Sequence, residues 1–256
     1  AILKGEHPTW DGEKLKSALA NSTVPVADAT GFDAGTGRID ALKAINQTVF
    51  APATLELGNY AWPYSDLAPS STTLTYTNDG DSAVTLALSL DSEAGTEEPT
   101  GSMSLSASTV TVPAGGSASV DVTVDPTIAS AGAYSAVVTG TAGDQTVRTG
   151  VAYQLESERY DVTVTIKPRT GTSAGHQLGL SGFSEPWVYE QRTFDASSEA
   201  QSATFRLPPG TYATSSCRQG SRLTAARCRG ARGIATEWPS PGADRRSSRH
   251  TSRAVL

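Results

Sequence analysis

Apolar positions over residues 1–50 recur with a helical period. Leu15, Ala18 and Leu19 stand at i, i+3, i+4 spacing. Asp11 is placed as N-cap, and Glu13 sits in the first turn, where a carboxylate meets the positive end of the helix dipole. Ile2-Leu3 reads as the end of an earlier helix. His7-Pro8 breaks it, because proline disfavours α geometry in the residue before it. Asn21-Ser22 ends the Leu15 helix, and Gly35-Thr36-Gly37 forms a tight loop. Asp40 then caps a short helix through Ala41, Leu42, Ala44 and Ile45.

From residue 51 the period changes to two. Leu55/Leu57, Leu74/Tyr76 and Val84/Leu86/Leu88/Leu90 alternate with polar positions, as do Val120/Val122/Val124, Tyr134/Ala136/Val138 and Val147/Val151/Tyr153/Leu155. Asp79-Gly80, Pro113-Ala-Gly-Gly116 and Ala142-Gly143-Asp144 supply the turns, the first of them read as a type I′ hairpin. Six or seven half-buried strands predict an antiparallel β-sandwich over 51–157. A second, smaller sandwich is predicted over 158–215. It contains Tyr160/Val162/Val164/Ile166, Gln177–Leu180, Trp187-Val188-Tyr189 and Ala203–Leu207, and it stops one strand short. Periodicity ends after Ser215, so 216–256 reads as disordered, without a strand or helix of useful length. The fold class is therefore mainly β: a short α-helical segment, two antiparallel β-sandwiches and a tail.

Composition adds a compartment and a charge split. Of the 256 residues, 18% are charged. With abundant Ser, Thr, Ala, Gly and Val, this suits extracellular all-β modules, so a secreted protein is expected. No apolar run is long enough to cross a membrane as a helix. The chain opens without Met or a leader, which reads as a leader removed or a natural start lacking. Residues 1–215 carry 11 Lys+Arg against 24 Asp+Glu, net −13; residues 216–256 carry 9 Arg against Glu237 and Asp244, net +7. Such a tail reads either as a nucleic-acid or envelope-binding arm or as GC-rich codons translated in the wrong frame. Nine Arg without one Lys favours the frameshift or truncation, so no nucleic-acid partner is expected. Cys217 and Cys228 then pair only by accident, and no disulfide is expected.

The residues at 1–45 carry a resemblance. Ala1-Ile2-Leu3-Lys4 is followed by His7-Pro8-Thr9-Trp10, then Leu15-Lys16-Ser17-Ala18-Leu19, then Gly35-x-Gly37-Arg38-Ile39-Asp40-Ala41. In this order and spacing the segment resembles the C-terminal end of the catalytic domain in subtilisin-like serine peptidases. Residues 51–157 resemble the fibronectin type III-like domain that follows some of them. Residues 158–215, with the stretch Ala203–Ala213, resemble a carboxypeptidase-regulatory or transthyretin-like sandwich. The resemblance implies peptide-bond hydrolysis by a Ser nucleophile, a His base, an orienting Asp and an oxyanion-hole Asn. In that family all four precede the position matched by Ala1, so none is assigned to this chain: catalytic residues none, metal ligands none, cofactors none. Protein or peptide substrates are reached through the missing catalytic domain, and the sandwiches serve as spacer, stabiliser or docking modules of a monomer. The second reading is a non-enzymatic cell-surface adhesin or carbohydrate-binding module of stacked Ig-like domains.

Several residues imitate sites. Gly171-Thr172-Ser173-Ala174-Gly175-His176 looks like the nucleophile motif, but His176 lies three residues after Ser173, where the family has five, and a β-turn explains the stretch. His7 precedes a proline at a helix junction and reads as a packing residue; three scattered His give no metal site. Asn78-Asp79-Gly80-Asp81 lacks the ligand pattern and closing Glu of a Ca²⁺ loop. Asn21-Ser22-Thr23 and Asn46-Gln47-Thr48 fit the glycosylation acceptor pattern. Gly35/Gly37 reads as a packing turn and not as a phosphate loop. Ile2, Leu3, Trp10, Leu15 and Leu19 are apolar positions whose partners would lie in the missing domain. Residues 1–50 are therefore expected to be poorly ordered or aggregation-prone in isolation, with amides over Lys14–Ala20 almost unprotected in the intact chain.

Overall fold

The computed structural model describes residues 2–92, 99, 101–166, 175–183, 187–218, 228–230 and 249–252. The chain divides into two units, Ala1–Glu156 and Ser157–Leu256.

The first unit opens with four helices: α1 (Ile2–Glu6), α2 (Gly12–Asn21), α3 (Gly31–Ala34) and α4 (Ala41–Asn46). The expected caps are in place. The Asp11 carboxylate accepts from the Lys14 N–H at 2.8 Å, and Asp40 accepts from the Lys43 N–H at 3.1 Å. The helix α3, which has no apolar period, is held at its start by Asp33, whose carboxylate accepts from the Thr30 N–H and hydroxyl at 3.1 and 2.7 Å. Those two bonds hold the Asp33 carboxyl below the usual carboxylate range, the side-chain bond foremost.

Among the described residues of this unit, nine strands follow. They are β1 (Val49–Phe50), β2 (Thr54–Tyr60), β3 (Ser70–Asn78), β4 (Val84–Ser92) and β5 (Met103–Leu105), then β6 (Thr109–Val112), β7 (Ser117–Val124), β8 (Gly132–Ala142) and β9 (Gln145–Leu155). One sheet runs β1-β3-β7-β5 and the other β2-β9-β8-β4-β6. The alternation works as read: Leu74, Tyr76, Val122 and Val124 from one sheet meet Leu86, Val138, Val147 and Val151 from the other. Outward positions pair hydroxyls across strands, Ser71 with Thr123 at 2.8 Å, Thr75 with Ser119 at 2.9 Å and Thr85 with Thr111 at 2.9 Å.

Two topological expectations are corrected. The pairing is not wholly antiparallel, because β2 lies parallel to β9. Asp79-Gly80 is not a type I′ hairpin either: neither residue has a positive φ, and β3 and β4 lie in different sheets. The stretch is a corner between sheets, built on the buried Asn78 side chain. Its amide donates to the Ser82 and Val112 carbonyls at 2.8 and 3.2 Å, and its oxygen accepts from the Gly80 N–H at 2.9 Å.

The helical segment docks on this sandwich, contrary to the expectation that it lacks partners. Leu3, Ala18, Ala44 and Phe50 form a buried cluster, with Trp10, Leu15, Leu19 and Ile45 against it. Of the five side chains expected without partners, only Ile2 is strongly exposed. The anchor is polar. Buried Asn21 donates to the Arg148 carbonyl at 2.8 Å and accepts from the Ala51 N–H at 2.9 Å. Arg148 Nε donates to the Thr36 carbonyl at 3.1 Å, and the Gln145 side-chain oxygen accepts from the Thr48 hydroxyl at 3.1 Å.

Tyr76 is fully buried between the sheets, and among the described residues its hydroxyl alone is a buried side-chain polar atom without a hydrogen-bond partner. Burial pushes its pKa far above the ordinary phenol value. The folded state keeps this proton after an unfolded chain has lost it. Stability is therefore full below pH ~10 and falls as pH rises further. Tyr76→Phe is expected to raise stability by about 1 kcal/mol at neutral pH and to lessen the alkaline loss, read as a higher urea midpoint.

The second unit contains β10 (Tyr160–Ile166), β11 (His176–Gly182), β12 (Tyr189–Phe194), β13 (Gln201–Leu207), β14 (Tyr212–Arg218), β15 (Cys228–Gly230) and β16 (Arg249–Ser252). Its sheets run β13-β10-β16 and β12-β11-β14-β15. Val164, Ile166, Phe205 and Leu207 from the first meet Leu178, Leu180 and Phe194 from the second. The 216–256 segment is thus not without strands. The ladder of β14 continues past Ser215 to Arg218, β15 pairs antiparallel with β14, and β16 pairs parallel with β10. These are short strands that backbone partners define, without an apolar period of their own.

Candidate functional site

Leu3, Trp10, Leu15, Ala18 and Leu19, which carry part of the family resemblance, share one cluster of the first unit with Phe50. Pro8 ends α1, and the chain turns so that the Trp10 N–H donates to the His7 carbonyl at 3.1 Å. The His7 and Trp10 rings then stack at 3.8 Å with an interplanar angle of 4°. Trp10 meets Phe50 edge-on at 5.1 Å, and the Lys14 ammonium lies 3.8 Å from the Phe50 ring centre. Lys14 also pairs with Asp79 at 3.0 Å. His7 Nε2 stands 3.1 Å from the Ile45 carbonyl. His7 is therefore a packing residue that ties α1 to α4, as its position before a proline suggests.

The glycine loop is equally structural. Val24 and Arg38 exchange two backbone hydrogen bonds of 2.8 Å, forming an antiparallel bridge. Gly37 lies at φ +124°, and a Cβ placed there would stand 2.3 Å from the Val24 carbonyl oxygen. Only glycine fits this crossing. The preceding Thr36 carbonyl accepts from the Thr23 hydroxyl at 2.8 Å as well as from Arg148. The loop thus has the packing task that its glycines suggest.

The other site-like stretches fall as follows. Asn21 is fully buried with both ends of its amide engaged, so the first acceptor pattern is structural. Asn46 is exposed, with its amide donating to the Leu42 carbonyl at 3.0 Å. Asn78 builds the sheet corner. Residues 171–174 of the nucleophile-like stretch, Ser173 included, lie outside the described residues, while the His176 backbone opens β11. Among the described residues, no three His, Cys, Asp or Glu side chains group as metal ligands.

What the sequence did not reveal is the surface relief around Arg148. A groove of about 320 Å³ crosses the outer face of β2, β9 and β8, floored by Gly150, Ala152 and Ser135 and edged by Phe32 of α3 and Glu56. A second hollow of about 260 Å³ lies between the Pro25–Gly37 loop and the sheet, with Asp28, Asp91 and Arg148 in its lining. Asp28 is the one described non-glycine residue at positive φ, 58°. A lone Arg at an outward strand position looks solvated in a sequence; only the loop that covers it makes it a buried anchor.

No family model matches the chain, and no curated protein matches it. Solved structures do match in part. A PapD-like domain of a human protein shares 16% identity at TM-score 0.34, over 43% of this chain and 87% of that one. A family 123 glycoside hydrolase from Clostridium perfringens shares 12% at TM-score 0.33, over 40% and 23%. A chaperone–tip adhesin complex of CFA/I fimbriae shares 9% at TM-score 0.34, over 72% and 98%. Likenesses this faint carry no argument about activity.

Proposed function

We propose that the chain is the C-terminal part of a secreted subtilisin-like serine endopeptidase, whose Ser, His, Asp and Asn are supplied by preceding sequence and whose β-rich units are accessory modules. The observation that carries this reading is the ordered run of Ile2-Leu3-Lys4, His7-Pro8-x-Trp10, Leu15–Leu19 and Gly35-x-Gly37-Arg38-Ile39-Asp40-Ala41. Its physical support is that most of the matched residues have an identifiable structural task. His7 and Trp10 stack, Gly37 allows a backbone crossing, and Asp40 caps a helix. Further support comes from Ile2, Phe32, Ile39 and Leu42, which are each more than half exposed on the same segment. A segment that a larger domain covers would leave such side chains bare when viewed alone.

The deciding experiment reads the coding sequence upstream of Ala1. An in-frame Gly-Thr-Ser-Met-Ala-x-Pro-His stretch upholds the reading, and an upstream segment without it ends it. The purified chain itself is expected neither to hydrolyse casein nor to label with a fluorophosphonate serine probe. Labelling that Ser173→Ala abolishes would overturn the assignment of the nucleophile to another part of the protein.

A further inference from the structure

Three large aromatic side chains of the second unit stand in water around the end of the β11/β12 hairpin: Phe183, Trp187 and Tyr189, exposed by 62, 69 and 63%. Isolated exposed aromatics are ordinary, but three together on one edge form a surface patch. The described backbone beside them is hydrogen-bonded. The Gly182 N–H donates to the Val188 carbonyl at 2.8 Å, and the Phe183 N–H donates to the Thr211 carbonyl at 3.0 Å.

The sheet face beside this edge has a consistent chemistry. Leu178 and Leu180 face the core, so Gln177, Gly179 and Ser181 of β11 face outward. Register places Tyr189 opposite Ser181, Gln191 opposite Gly179 and Thr193 opposite Gln177. On the other side, Ser215 stands opposite Gly179 and Ala213 opposite Ser181. None of these outward residues is charged. The charged residues of β12 have the opposite parity: Arg192 lies 5.0 Å from the Phe205 ring centre and pairs with Glu190 at 3.0 Å.

Gly179 gives the face its shape. A Cβ there would come within 3.1 Å of the Tyr189 hydroxyl, 3.2 Å of its Cε2 and 2.8 Å of Ser215 Oγ. The missing side chain lets the Tyr189 ring lie over the neighbouring strand, and the Tyr189 hydroxyl donates to Gln191 Oε1 at 3.3 Å. The result is an aromatic ring laid on a sheet, its outer side open, among amides and hydroxyls.

We propose that this face binds a neutral polysaccharide, a β-1,4-linked pyranose chain, with Tyr189 and Trp187 as stacking platforms. The C–H face of a pyranose is apolar and weakly positive and suits the negative face of an aromatic ring. Its hydroxyls suit the amides of Gln177 and Gln191 and the hydroxyls of Ser181 and Ser215. The described outward residues carry no charge, which discriminates against charged polymers, since these would lose hydration without gaining a counter-charge. The proposal does not depend on the peptidase reading, and either stands if the other fails.

The test is depletion of the full chain from solution by microcrystalline cellulose and by chitin, at low and high NaCl, with heparin beads as the charged comparison. Retention on cellulose or chitin that salt leaves unchanged is expected. Tyr189→Ala and Trp187→Ala should each weaken it about tenfold or more, and Tyr189→Phe should keep it. Thermal melts of each variant separate lost binding from lost fold, and Trp187→Ala, at a largely exposed position, serves if Tyr189→Ala unfolds. The proposal is overturned if the wild type leaves both polymers unbound, if it binds only heparin in a salt-sensitive way, or if folded alanine variants bind as the wild type does.

Discussion

Gly37→Ala is expected to destabilise the first unit by about 3 kcal/mol or more. The added Cβ would meet the carbonyl oxygen of Val24 at 2.3 Å and its carbon at 2.9 Å. Both are backbone atoms, so no rotamer change relieves the contact. The residue would also have to hold φ near +124°, which side chains avoid. Moving the two segments apart breaks both 2.8 Å bonds of the Val24–Arg38 bridge and displaces the Thr36 carbonyl that receives Arg148. Gly35 is the internal control. Its φ is +59° with ψ −132°, and nothing lies within 4 Å of its Cβ position, so Gly35→Ala should carry the backbone cost alone, about 1–3 kcal/mol. Urea denaturation of the full chain, followed by circular dichroism, measures both. Equal losses would show that conformation alone, and not the crossing, explains the glycine.

Asn21→Ala should cost about 2–5 kcal/mol and release the helical segment. The substitution removes the hydrogen bonds to the Arg148 carbonyl and the Ala51 N–H, both lodged where α2 meets β9, and a buried group that loses its partner costs about 1–3 kcal/mol. Hydrogen exchange localises the effect. In the wild type the amides of Lys14–Ala20 should be protected together with those of Val120–Val124, because Ala18 and its cluster pack under the segment. In the variant the first group should lose protection and the second keep it. If Lys14–Ala20 exchanges freely in the wild type already, the docking described above does not persist in solution.

Local coding explains which elements could be read. Asp11 and Asp40 announce α2 and α4 because a cap and its N–H lie three residues apart. Val120, Val122 and Val124 announce their inward face because a strand alternates. The helix α3 has four residues and no period, and β1 has two, so neither leaves a pattern. The stretch Trp187-Val188-Tyr189 reads as a strand, yet β12 begins only at Tyr189 and runs on to Phe194, since its partner β11 sets its extent. Turn residues mark where a strand ends but not which sheet the next one joins, which is why the corner at Asn78 resembles a hairpin. Burial of polar groups is the least legible feature. Asn21 fits an acceptor pattern and Arg148 an outward position, and both are enclosed only because distant segments meet over them.

The anchors between the helical segment and the sandwich span long stretches of chain. Asn21 reaches Arg148, Thr36 reaches Arg148, and Thr48 reaches Gln145, at separations of 127, 112 and 97 residues. During synthesis residues 1–50 therefore leave the ribosome long before their seat exists. Strand β2 waits as well, since its ladder partner is β9. The loop-closure entropy of these distant contacts is met only when the last strand of the unit arrives, so assembly is late and concerted. The earliest part of this unit to be synthesised is among the last to settle, and until then its apolar stripe is free for a chaperone.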